Sequence, residues 1–134
     1  MSVLLALWIV GVMPISARPR AKRVVMIALD GISVPGFTTA HTPNLDNLLA
    51  QGALSLTTRV VMPSVTLPNW TSHLTGSGPE QHGVVDNGWQ IDKKGFPAVE
   101  IDKEGYYPSV FKVMKEEIPE CKTAFYYNWI NLFY

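Results

Sequence analysis

The sequence predicts an α/β fold, with a mostly parallel sheet flanked by helices, and three observations carry that expectation. Residues 23–29 (R-V-V-M-I-A-L) form an unbroken apolar run rich in valine, the pattern of a strand buried on both faces. A helical stretch follows, with Leu45, Leu48 and Leu49 at i, i+3 and i+4 spacing. Residues 53–62, rich in valine and threonine, then read as a second strand, completing a βαβ unit.

Each element has its own start and stop signals. The first strand ends at Asp30-Gly31, where a charge follows the apolar run and the glycine permits a sharp turn. Thr42-Pro43 reads as an N-cap followed by proline at the first helical position, and Gly52 stops that helix. Residues 68–74 read as a second short helix ended by Gly76. Residues 76–88, rich in glycine and containing Pro79, read as loop, and 92–105 as a surface excursion of hairpin type. Ser109 opens a third helix to about Glu117, expected to bury Val110, Val113 and Met114. Pro119 ends that segment, and residues 122–127 read as the next strand.

Bulk properties narrow the class. The chain has 134 residues, 47% hydrophobic and 16% charged, with formal net charge +0, which fits one globular domain without low-complexity segments. That neutral balance gives no nucleic-acid-binding patch and no attraction to a membrane surface. The single cysteine, Cys121, excludes an internal disulfide and reads as a small buried hydrophobe. Residues 3–15 are apolar but, at about 13 residues, too short for a stable membrane span, which needs about 20. With Ser16 and Ala17 after them, residues 1–17 read as a signal peptide, leaving 18–134 as the domain of a secreted or periplasmic protein. The basic residues Arg18, Arg20, Lys22 and Arg23 follow the apolar run rather than precede it, the reverse of the usual order.

Chemistry is expected beyond the carboxy ends of the strands, where open α/β sheets collect ligands. Asp30 stands at one such end and reads in two ways, as a metal ligand or as a cap for the following loop. Thr66, two residues before Pro68, is either a helix cap or a nucleophile facing the anion-attracting start of a helix. The helix dipole contributes only about 0.3–1 kcal/mol, too little to activate a hydroxyl, so the nucleophile reading requires a divalent cation. Asn87 is either a turn residue before Gly88 or a donor to a phosphate oxygen. His82 is read as a structural hydrogen-bonding residue ahead of a metal ligand.

The motifs V-V-M-I-A-L-D-G (24–31), T-P-N-L-D-N-L (42–48), P-S-V-T-L-P-N-W-T (63–71), L-T-G (74–76) and P-E-Q-H-G-V-V-D-N (79–87) occur in order. Together they resemble the amino-terminal part of the alkaline phosphatase superfamily, and within it the type I phosphodiesterase/nucleotide pyrophosphatase family, over about residues 23–127. The resemblance implies an alkaline-phosphatase-like sheet, incomplete here, and a hydrolase of phosphodiester or pyrophosphate bonds. It implies two divalent metal ions, zinc by family expectation, with Asp30 and Thr66 as ligands. Thr66 would be the nucleophile of a phosphothreonine intermediate, and Asn87, 21 positions on, would bind a phosphate oxygen. The implied partner is a small phosphodiester or nucleotide substrate.

Departures qualify that resemblance. A sulfatase would carry cysteine or serine at position 66 and arginine at 70, where this chain has Thr66 and Trp70. Leu67 stands where the family usually has phenylalanine, and Trp70-Thr71 where it has histidine and tyrosine. The family's later ligands, a D-x-x-x-H segment and an aspartate-histidine pair, have no counterpart, so the expectation is an amino-terminal portion missing its carboxy-terminal remainder and inactive alone. The rival readings are a noncatalytic fragment or pseudoenzyme, and a phosphomonoesterase, phosphonate hydrolase or sulfatase-like member of the same superfamily.

Overall fold

The protein is described here by a computed structural model that covers residues 22–93 and 95–132; the expected signal peptide at 1–17 lies outside the described residues. Within them the order is α1 (Val34–Thr39), α2 (Pro43–Leu49), α3 (Thr66–Thr75), α4 (Pro79–His82) and α5 (Val110–Glu117), then a 3₁₀ turn at Ile130–Leu132.

The expected α/β architecture is overturned: the described residues contain helices and no strand. A strand exists only through its ladder partner, because an extended backbone without one leaves its amides and carbonyls to water. Residues 23–29 form no ladder, and the side chains expected to be sandwiched lie open, with Val24 and Val25 80% and Ile27 82% exposed. Residues 53–62 and 122–127 are likewise irregular rather than laddered. The alkaline-phosphatase-like parallel sheet is therefore not formed among the described residues. Without a sheet to cover, Leu45 and Leu48 of the α2 leucine stripe are also open, Leu48 at 72% exposure, while Leu49 is half-buried.

The helices obey their local signals more closely. Thr42 is the N-cap residue of α2 with Pro43 at its start, although the Thr42 hydroxyl donates to the Asp46 carboxylate at 3.0 Å instead of capping an amide. Helix α3 begins at Thr66 and ends at Gly76, whose φ of 69° lets its N–H reach the Ser72 carbonyl at 2.9 Å. Ser109 caps α5, its Oγ accepting the Lys112 N–H at 3.4 Å. That helix leaves Val110 and Val113 exposed, contrary to expectation, and sets the half-buried Phe111 against Phe125 with ring centroids 5.6 Å apart. The free Cys121 is half-buried. Two helices escaped the sequence reading: α1, capped by Ser33 Oγ on the Gly36 N–H, and the single turn α4 in the expected loop. In place of a hairpin, the described part of 92–105 ends in a turn closed by Asp102, whose Oδ1 accepts the amides of Glu104 and Tyr106 at 3.0 and 2.9 Å.

The buried centre lies where α3 meets α4. It comprises Leu67, Pro68, Pro79, His82, Gly83 and Val84. His82 is 2% exposed and uses both ring nitrogens. Its Nδ1 accepts the Val84 N–H at 3.1 Å, so the neutral ring carries its proton on Nε2, which donates to Ser72 Oγ at 3.0 Å. Gly83 then turns the chain with φ 74°, and a Cβ there would lie 2.7 Å from the Phe96 carbonyl oxygen. Residues 96–98 therefore press directly on this glycine, held by the Val99 N–H donating to the Gln81 carbonyl at 2.9 Å.

Burial holds the His82 imidazole below its usual value of 6.5, against a smaller upward pull from Glu80. The unfolded chain therefore binds the proton more readily. The contribution to stability is complete above pH 6.5 and is lost as pH falls through the lower folded-state value. Thermal melts at pH 7.5 and 5.5 should show a lower midpoint in acid. His82→Ala should flatten that difference while costing about 1–3 kcal/mol through the unpaired Ser72 hydroxyl and Val84 amide; an unchanged acid dependence in the variant contradicts the assignment.

Candidate active site

The first turn of α3 is unusual in how few of its donors remain open. A helix start leaves four N–H groups without helical partners. Here the Val65 N–H donates to the Pro63 carbonyl at 2.9 Å, and the Leu67 N–H donates to Asn87 Oδ1 at 2.7 Å. Pro68 has no N–H at all. Thr66 is left with an amide and a hydroxyl that have no partner among the described residues. It sits inside the helix at the first position, with Val65 as the N-cap residue, so it does not cap the helix. One residue thus presents a donor and a potential nucleophile at the positive end of a ten-residue helix.

Asn87 reaches this turn from 20 residues beyond Leu67. Because Oδ1 accepts the Leu67 N–H, the orientation of the amide is fixed and Nδ2 points its donors elsewhere. No partner for Nδ2 occurs among the described residues. The turn role open to Asn87 on sequence belongs instead to Asp86, whose Oδ1 accepts the Gly88 N–H at 2.6 Å. Asn131, from the 3₁₀ turn, holds the Asn87 carbonyl through Nδ2 at 2.7 Å.

Asp30 is not part of this cluster. It is exposed, and its Oδ1 accepts the N–H of the next residue, Gly31, at 2.7 Å, the loop-capping arrangement. The described residues contain no group of three His, Cys, Asp or Glu side chains able to hold a metal ion. A carboxylate and a hydroxyl suit zinc in kind, but a catalytic zinc commonly takes three protein ligands, so these residues do not complete a metal centre. Two of the three histidines are already engaged: both nitrogens of His82 are bonded, and His73 Nδ1 donates to the Asn69 carbonyl at 2.7 Å.

Two residues of this arrangement were missed on sequence, Asn69 and Asn131. For Asn69 a signal existed, since asparagine inside a helix tends to bond nearby backbone. For Asn131 none did, because its bond spans 44 residues. Asn87→Ala should speed hydrogen exchange of the Leu67 amide by about fivefold or more, as expected for a lost bond worth ~1 kcal/mol. Asn87→Asp, which retains an acceptor, should leave that amide protected; equal exchange in both variants contradicts the bond's role.

Comparison with known proteins places the chain. The family described as type I phosphodiesterase / nucleotide pyrophosphatase matches residues 24–129. Ectonucleotide pyrophosphatase/phosphodiesterase family member 3 of Mus musculus is 35% identical over 66 residues, covering 48% of this chain and 8% of the relative. Venom phosphodiesterase of Macrovipera lebetinus is 23% identical over 148 residues, 81% of this chain and 17% of the relative. Bis(5'-adenosyl)-triphosphatase enpp4 of Mus musculus is 30% identical over 83 residues, 60% of this chain and 18% of the relative. The chain thus spans 8–18% of the length of these curated relatives. No solved structure is significantly similar to it. The family match covers most of the sequence and includes Asp30, Thr66 and Asn87, and on it this chain belongs to the type I phosphodiesterase/nucleotide pyrophosphatase family.

Proposed function

We propose that this chain carries the nucleophile-bearing part of a hydrolase of phosphodiester or pyrophosphate bonds, with Thr66 as nucleophile. The observation that carries this reading is the 2.7 Å bond from the Leu67 N–H to Asn87 Oδ1. It brings the Asn87 side chain, which carries a second donor in Nδ2, to the residue next to Thr66. A tetrahedral phosphate oxygen held by the Thr66 N–H and Asn87 Nδ2 would sit next to the Thr66 Oγ. These two donors stabilise the negative charge that grows on that oxygen as Oγ attacks phosphorus. The P–O bond to the leaving alcohol or nucleotide breaks, leaving a phosphothreonine that water then hydrolyses.

Two divalent ions, zinc by family expectation, belong to the proposal; Asp30 would contribute one carboxylate and Thr66 its oxygen, and further ligands would be needed to complete their sites. Bound there, such ions would supply the positive charge that lowers the pKa of a hydroxyl. The relatives' names, ectonucleotide pyrophosphatase and bis(5'-adenosyl)-triphosphatase, favour a nucleotide substrate. The ectonucleotide pyrophosphatase and venom phosphodiesterase names favour an extracytoplasmic location, in line with the expected signal peptide. No helix of the described residues is long and apolar enough to cross a membrane.

In the full-length protein, Thr66→Ala should abolish turnover of an aryl phosphodiester, and undiminished turnover sinks the assignment. Asn87→Asp should cost about 100- to 1000-fold in kcat, the usual effect of removing one oxyanion donor, although the Leu67 bond persists. Calorimetric zinc titration of the 134-residue chain should show no tight binding of two ions; two tight sites would mean that the described donors are joined by ligands not proposed here.

A further inference from the structure

Residues 61–65 lead into α3, and the side chain of Asn69, one turn inside the helix, grips both ends of that segment. Its Oδ1 accepts the Val61 N–H at 3.0 Å. Its Nδ2 donates to the Val65 carbonyl at 2.8 Å and, at 3.5 Å, to the Pro63 carbonyl. The helical bond from the Asn69 N–H to the same Val65 carbonyl is long, 3.4 Å. The side chain therefore supplies the tighter hold on that oxygen.

The Val65 carbonyl and the Thr66 N–H are two sides of one planar peptide unit. In a trans peptide they point in opposite directions, so fixing the carbonyl fixes the direction of the N–H. That N–H is the open donor at the start of α3. We infer that Asn69 is a positioning residue: by clamping the Val65–Thr66 peptide it aims the Thr66 amide, and with it the Thr66 hydroxyl, at the reacting phosphate. This role rests on the reading of Thr66 as nucleophile. Asn69 touches neither substrate nor reacting atoms and acts through the peptide plane alone.

The informative variant is Asn69→Asp. It matches asparagine in size and keeps an acceptor for the Val61 N–H, but it loses the donor to the Val65 carbonyl and sets a negative charge against it. In the full-length protein, with an aryl phosphodiester as substrate, Asn69→Asp should lower kcat by about 100-fold, the scale expected for a misplaced reacting group, with KM within about twofold of wild type. Asn69→Ala, which loses both ends of the clamp, should lose more thermal stability than Asn69→Asp and lose kcat to a similar degree. Wild-type kcat in Asn69→Asp overturns the inference. A fall in kcat that merely tracks the loss of melting temperature across the two variants also overturns it, because that pattern marks a purely structural residue. If Thr66→Ala retains full turnover, the nucleophile reading fails, and the NMR amide resonance of Thr66 decides the clamp. A shifted Thr66 resonance in Asn69→Asp, with α5 amides unmoved, upholds control of the peptide plane, and an unmoved Thr66 resonance overturns it.

Discussion

The hydrogen bond between the Leu67 amide and Asn87 Oδ1 is the constraint on which the site depends. It satisfies a donor that the helix cannot satisfy itself, and it does so with a side chain from 20 residues away. Everything between those partners folds back to allow it: α3 runs to Gly76, α4 makes a single turn, and Gly83 reverses the chain beneath residues 96–98. His82 secures this return by bonding both Ser72 on α3 and the amide of Val84. The bond is thus the closing contact of a loop whose interior is the most buried part of the described structure.

Much of the local backbone around Thr66 was legible in the sequence. Residues 66–87 supply proline, glycine and asparagine at places where backbone geometry leaves few alternatives. Gly76 was readable as a helix stop because an αL residue is needed there, and Ser109 as a helix start because its hydroxyl meets a free amide. The start of α3, expected at Pro68, lies two residues earlier. A threonine two residues before proline fits a cap, but the helix begins at Thr66 itself, with Val65 taking the non-helical conformation. Neither role offered by the sequence foresaw the acceptor role of Asn87 toward the Leu67 N–H, and the turn before Gly88 belongs to Asp86.

The fold class failed for a different reason. The runs at 23–29 and 53–62 have the composition of buried strands, yet composition reports what a segment would gain from a partner and not whether one is present. Helices carry their hydrogen bonds within the segment, so capping signals suffice to locate them. Strands borrow theirs, and Ile27 at 82% exposure is what an apolar residue shows when nothing is lent. The same contrast explains why α2 forms although Leu48 has no surface to cover.

Pro68 has a consequence for geometry at phosphorus. By removing an amide from the first turn, it would leave the oxyanion of the proposed reaction with one backbone donor and one side-chain donor. Both donors would meet the same oxygen, and a phosphate held at one oxygen can still turn about it. On the proposed reading, the Thr66 end of the site would settle where phosphorus lies without settling which of its ester oxygens stands opposite the Thr66 hydroxyl. In-line alignment of the leaving group must be imposed by contacts to the rest of the substrate, and the choice among substrates resides with whatever makes them.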